Sequence, residues 1–177
     1  MGQPVALKLP RPISFEPSYV LSWVLGNFDF HPETIREAIG RGYLTMADLM
    51  TLEPTMMFDT FSSDAVIDIN REARAYGLTV GSLPYVRELA RSVNQLAGLP
   101  DSAYTKMRSV LESQCNLPPP QIGSLTLLSL AIYHYFGFTP EEEAAVDAAL
   151  APYNLKRKMA LADIFQNGPA IIASPSL

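Results

Sequence analysis

A chain of 177 residues, 48% hydrophobic and only 18% charged, is long enough to bury about two-thirds of the surface its unfolded form exposes and falls short of the roughly 25% charge typical of soluble domains. Its formal charge of -5 gives no basic footprint and argues against a nucleic-acid partner. One cysteine and two histidines exclude an internal disulfide and the common Cys/His zinc patterns, so neither metal nor cofactor is expected.

Residues 1–17 read as an extended arm. Pro4, Pro10, Pro12 and Pro17 interrupt its apolar residues, so it lacks the continuous core of a secretory signal. That predicts an intracellular protein, in the cytoplasm or in a particle assembled there. Val5, Leu7, Leu9, Ile13 and Phe15 are candidate interaction residues, because their prolines keep them out of a helix while their side chains favour burial. Such an arm packs on its own domain or on another chain.

From residue 18 the chain reads as short helices. "SYVLSWVLGNF", Ser18 to Phe28, is apolar nearly all round and predicts a buried helix. "HPETIREAIGRG" follows, with His31 as cap, Pro32 at the first helical position and Gly40 and Gly42 as stops. Thr45 caps "MADLMTL", which ends before Pro54. Ser62 or Ser63 opens "DAVIDINREARAYG", which puts Val66, Ile69, Ala73 and Tyr76 on one face and closes at Gly77.

From Glu33 to Val80 this succession of a helix, a "GYLT" turn, a short helix ended by proline and a helix ending in Tyr-Gly-Leu resembles, in outline, the small N-terminal region of housekeeping bacterial sigma factors. The likeness covers under a third of the chain. It implies an acidic regulatory module rather than a sequence-reading one, and it transfers no site residue.

"SLPYVRELARSVNQLAG", Ser82 to Gly98, has the clearest three-and-four apolar spacing and predicts a helix. Asp101 or Ser102 starts another, with Met107, Val110 and Leu111 turned inward. Pro118, Pro119 and Pro120 then impose a stiff linker, a candidate sub-boundary at residues 117–121. Cys115 stands at the expected end of that helix, where the dipole raises a thiol pKa. The sequence holds no nucleophile elbow, phosphate loop or glycine fingerprint, so no catalytic residue is named.

Between Ser113 and Pro140 there is no charged residue. Three prolines and several polar groups argue against a membrane span there and for a buried helix over Ser124 to Phe136. His134 on that helix is a core histidine or a ligand, and its pairing with His31 has no metal-binding spacing. Thr139 and Pro140 open the next helix, and Glu141, Glu142 and Glu143 read as its solvated start; they point about 100° apart and converge on no ion.

"NLKRKMALADIF" predicts a last helix whose first turn carries Lys156, Arg157 and Lys158. These charges oppose the dipole and suit an external anionic partner, such as a neighbouring subunit's glutamates. Residues 168–177 form a tail in which Ile171 and Ile172 are further interaction candidates. No internal repeat is read.

The expectation is one compact all-α domain over residues 18–167, with seven to nine short helices and extended proline-containing arms. The function expected is a non-catalytic structural or adaptor subunit of an assembly, such as a shell or virion-type particle, that binds protein partners or itself as a homo-oligomer. The alternatives are a helical regulator of nucleic acid or transcription machinery and a small-molecule binder with a pocket near His134.

Overall fold

The computed structural model describes residues 19–115 and 122–167. Among them the chain is all-α and carries no β-strand, only two isolated antiparallel bridges. The helices are α1 (Pro32–Gly40), α2 (Met46–Met50), α3 (Pro54–Thr60), α4 (Ser63–Ala75), α5 (Asp101–Ser113), α6 (Leu127–Ile132), α7 (Pro140–Leu150) and α8 (Leu161–Asn167). Three 3-10 turns, at Leu25–Asn27, Val93–Gln95 and Ala151–Tyr153, join them. The arms and the triple-proline linker lie outside the described residues.

Side-chain caps set several of these starts. Ser62 Oγ accepts the Ala65 N–H at 3.3 Å, and Thr126 Oγ1 accepts that of Ser129 at 3.1 Å. Thr139 and Glu142 cap α7 reciprocally: Glu142 N–H donates to Thr139 Oγ1 and Thr139 N–H to Glu142 Oε1. Each bond satisfies a helix-start donor that has no partner inside its helix.

The structure corrects the sequence reading at several places. Residues 82–98 are not helical: the chain turns, pairs and makes one 3-10 turn. Its backbone is engaged elsewhere, with Val93 N–H on the Leu125 carbonyl at 2.9 Å and Leu127 N–H on the Arg91 carbonyl at 3.0 Å. Of the residues on the expected apolar face, Leu89, Val93 and Leu96 are buried, Val86 is half-buried, and Ala90 and Ala97 are exposed, so the spacing is met only in part.

The described part of the segment 18–28 behaves likewise. Only Tyr19–Leu21 are α-helical, with a 3-10 turn at Leu25–Asn27, because Leu25 N–H bonds the Leu44 carbonyl and the Trp23 carbonyl accepts from Met46. α2 ends at Met50, before Pro54 as expected, and Pro54 also opens α3, a helix not expected from the sequence. His31 sits at the N-cap of α1 without a side-chain cap bond; its own N–H donates to Asp68 Oδ2 at 2.8 Å. The apolar stretch yields a six-residue α6, every residue of it buried, and His134 lies beyond it, exposed. Among the described residues no helix is long and apolar enough to cross a membrane.

The two halves of the chain repeat one pattern of backbone bonds, contrary to the sequence reading. Leu25 on Leu44 and Met46 on Trp23 recur as Val93 on Leu125 and Leu127 on Arg91. The bridges Val24–Thr45 and Ser92–Thr126 match. Further along, Gly81 on Met50 and Leu78 on Ala73 recur as Lys158 on Ala131 and Leu155 on Leu150. In sequence the repeat survives as Gly42-Tyr43-Leu44-Thr45 against Gly123-Ser124-Leu125-Thr126 and Tyr76-Gly77-Leu78 against Tyr153-Asn154-Leu155. The word that carries the sigma-factor likeness therefore belongs to the chain's own repeat.

The halves meet where the two Gly-x-Leu-Thr turns touch. A Cβ on Gly42 would lie 1.8 Å from the Ser124 carbonyl oxygen, and one on Gly123 2.4 Å from the Gly42 nitrogen. Beside them Asp48, 3% exposed, accepts from Leu44 N–H, Thr45 N–H, Thr126 Oγ1 and Ser129 Oγ. Thr45 and Ser129 hydroxyls also pair, at 3.1 Å. Thr45 corresponds to Thr126 and Asp48 to Ser129, so the Thr45–Ser129 and Asp48–Thr126 contacts are reciprocal, as a two-fold relation requires.

The repeat also explains two left-handed residues. Asn154 (φ 59°) and Lys158 (φ 67°) stand where the first half has Gly77 (φ 76°) and Gly81 (φ 86°). The left-handed region costs a non-glycine residue about 1–2 kcal/mol, against roughly 0.5–1 kcal/mol of extra entropy lost by glycine. Lys158→Gly is therefore expected to stabilise the protein by about 0.5–1 kcal/mol in urea unfolding. Its 3.7 Å contact with Glu143 is long and half-exposed on the lysine side, and subtracts little.

Candidate functional site

Three distant segments build one open groove of about 730 Å³: Tyr19 to Asn27, Ile132 to Tyr135, and Met159 to Ala162. Tyr19, Trp23, Tyr133 and Tyr135 line it together with aliphatic Val24, Ile132, Met159 and Leu161. Trp23 packs edge-on against Tyr19 at 6.0 Å between ring centroids, and Tyr133 packs edge-on against Tyr135 at 5.8 Å. Tyr19 and Tyr135 are 67% and 78% exposed, so large apolar rings stand in water at the rim.

The cause of this wall is the early end of α6. Tyr133, its C-cap, is extended (φ -83°, ψ 130°), which leaves Tyr133 half-buried against the core and turns His134 and Tyr135 into solvent. Partial burial holds the His134 pKa below its usual value, helped by the Arg157 and Lys158 charges and opposed by Glu143. Burial and neighbouring Tyr135 push the Tyr133 hydroxyl up.

Arg157 locks this turn from behind and departs most from its expected role. Its guanidinium donates to the Leu130 and Tyr133 carbonyls and, through Nε, to Glu143 Oε1 at 2.9 Å. Phe136 and Phe138 each lie 5.2 Å from it by ring centroid, in cation–π range. The glutamate expected from a neighbouring subunit is supplied by the same chain. Lys156 and Lys158 remain exposed. None of the three opens a helix, since α8 begins at Leu161.

Glu142 is likewise not a solvated helix start. It is 6% exposed, and a hydrogen bond from Lys106 Nζ at 2.6 Å leads the effects that hold its carboxyl at about 2. Among the described residues no three of His, Cys, Asp and Glu gather as a metal site. The Cys115 thiol is pushed up by burial, in the direction expected of it.

The interaction candidates Val5, Leu7, Leu9, Ile13, Phe15, Ile171 and Ile172 lie outside the described residues. Sequence reasoning names His134 and its tyrosines but misses Trp23, Met159 and Leu161 as fellow wall residues. They come together because α6 ends at Ile132, four residues short of the expected Phe136. Comparison with family models, curated proteins and solved structures returned no match to this chain.

Proposed function

We propose that the protein is a non-catalytic structural or adaptor subunit of a larger protein assembly, of shell or virion type, which contacts copies of itself or other proteins through apolar surface and its terminal arms. The observation that carries this reading is the open aromatic groove, with Tyr19 and Tyr135 exposed on its rim. Contiguous apolar surface of this kind marks interaction sites in soluble proteins. The low share of charge supports the same reading, since it leaves little polar cover for such a face.

The test is light scattering after size exclusion over a dilution series, comparing the intact chain with a Tyr19→Asp/Tyr135→Asp double variant. A defined oligomer is expected from the intact chain, and its loss from the variant. A monomer at every concentration in both would overturn self-assembly.

A second reading, a binder of an apolar small molecule, draws on the groove's volume of about 730 Å³, which lies within the roughly 300–1,000 Å³ of ligand sites, and on His134 in its wall. A stoichiometric organic compound in extracts of the purified protein would select it.

A further inference from the structure

We infer that a second copy of this chain docks on the groove through its α3, with Phe58 as the anchor in the groove and Asp59 beside the lysines at its edge. The inference rests on the assembly reading and names the surface that meets the groove.

Helix α3 turns little of itself inward. Met57 is buried, while Met56 and Phe58, about 100° to either side of it, are 51% and 64% exposed. From Glu53 to Phe61 the chain holds two carboxylates, Glu53 and Asp59, both exposed, and no lysine or arginine. Among the described residues, the other exposed large apolar side chains outside the groove are Ile67, Tyr76 and Tyr85. Each has an arginine within four positions: Arg71, Arg74 and Arg87. Methionine and aromatic residues are enriched where proteins meet, and on α3 they stand out with negative charge alone.

The groove carries the opposite charge at one edge. Lys156 and Lys158 are exposed on the loop that leads into Met159 of its wall, and Lys156 N–H donates to the Met159 sulfur at 3.4 Å. Glu143 and Asp147 are engaged by Arg157, and Glu143 reaches Lys158 only at 3.7 Å, so two ammonium groups face solvent there. Further along the same wall the sign changes at exposed Asp163 of α8. The lysine edge is therefore the one that takes a carboxylate. With Phe58 against Trp23, Ile132 and Met159, the next residue, Asp59, comes within reach of the lysines, and such a charge match sets orientation more than it adds affinity.

The two surfaces occupy equivalent connections of the two halves. From Met50 to the cap Ser62 the chain runs through residues 51–61, and from the matching Ala131 to the cap Thr139 through 132–138 only. Helix α3 is thus an addition confined to the first half, and the second half has in its place the Tyr133–Tyr135 turn that walls the groove. A two-fold relation sets equivalent connections across its axis from one another, and α3 supplies no wall of its own chain's groove. A contact that joins them is therefore made between copies.

The contact is heterologous: helix and groove are different patches, so copies joined this way close into a ring or extend without limit. That permits a test by mixing two full-length variants, Phe58→Asp, whose groove is intact, and Tyr19→Asp/Tyr135→Asp, whose α3 is intact. All three side chains are exposed, so the fold does not depend on them. By light scattering after size exclusion, at concentrations where the intact chain is oligomeric, each variant alone is expected to give the monomer mass. Their equimolar mixture is expected to give a heterodimer of twice that mass and nothing larger. Asp59→Lys is expected to raise the concentration of half-assembly several-fold, and adding Lys156→Glu and Lys158→Glu to the same chain to reverse most of that rise. Assembly that persists in Phe58→Asp, or a mixture that stays monomeric, overturns the inference while the assembly reading stands on its own test. An intact chain that is monomeric at every concentration overturns both.

Discussion

Replacing Gly42 with alanine is expected to cost about 4 kcal/mol, the sum of a left-handed backbone penalty of about 1–2 kcal/mol and an overpacking penalty of about 1–3 kcal/mol. Gly42 has φ +82°, and its new methyl would meet the Ser124 carbonyl at 1.8 Å. Two other glycines separate the causes. Gly77 has φ +76° and open space around it, with nothing within 4 Å of where a methyl carbon would stand, so Gly77→Ala isolates the backbone cost at about 1 kcal/mol. Gly123 has no left-handed φ but a Cβ contact of 2.4 Å to the Gly42 nitrogen, so Gly123→Ala isolates the clash at about 2–3 kcal/mol. Urea unfolding of the three variants should rank them Gly42, Gly123, Gly77. If Gly42→Ala proved no worse than Gly77→Ala, the halves would not meet at these turns.

Asp48→Ala is the second large loss expected, about 3 kcal/mol, because it leaves the Leu44 and Thr45 N–H groups buried without an acceptor. For a chain of this size that is a fall in Tm of about 6–12 °C by calorimetry. The hydroxyls of Thr45 and Ser129 already pair with each other and limit the damage. Burial raises the Asp48 pKa, although bonds from Ser129, Thr126, Thr45 and Leu44 pull it down. The folded state thus holds the Asp48 proton more tightly than the unfolded state, whose value is about 3.9. This carboxyl's contribution is fullest below that pH and declines as pH rises towards the folded pKa. Asp48→Asn removes the titration, so its deficit relative to the unmodified protein should be larger near pH 3 than at pH 7. A deficit that grew with pH would mean that the carboxylate is stabilised by its site.

Features set by neighbours in sequence were legible. Thr45, Ser62 and Thr139 mark helix starts because a cap is a bond across three residues, and Gly77 marks a stop because its φ is positive. The all-α class follows from the same local signals. Ser82–Gly98 was misread because three-and-four spacing states which side chains are buried and not where the backbone N–H groups go. The Leu125 carbonyl takes the Val93 N–H, and the Leu127 N–H takes the Arg91 carbonyl, each from more than thirty positions away, and no local pattern records that. Arg157 was misread for a similar reason: its charge was visible, but the Leu130 and Tyr133 carbonyls that receive it are freed only by the early end of α6.

The repeat escaped notice because the halves differ by unequal spacers. The distance between matching residues is 68 positions at Leu21 and Leu89, 81 at Thr45 and Thr126, and 77 at Leu78 and Leu155. Function at matching positions has also drifted. The edge-on pair of Trp23 with Tyr76 at 6.4 Å is matched by Arg91 over Tyr153 at 5.9 Å. An aromatic contact in one half is a cation–π contact in the other, a change that identity hides and geometry preserves.

The junction at Asp48 also sets an order of events in time. Each half closes its own Leu25–Leu44 or Val93–Leu125 pairing over a short loop, whereas Asp48 reaches Thr126 and Ser129 across 78 and 81 positions. Loops of that length close late, after local structure has formed. On a growing chain the first half completes its pairings while its carboxylate is still hydrated, and that water leaves only when the second half docks. Closing the junction therefore strips water from one carboxyl, and a chain interrupted between the halves leaves that carboxyl in solvent.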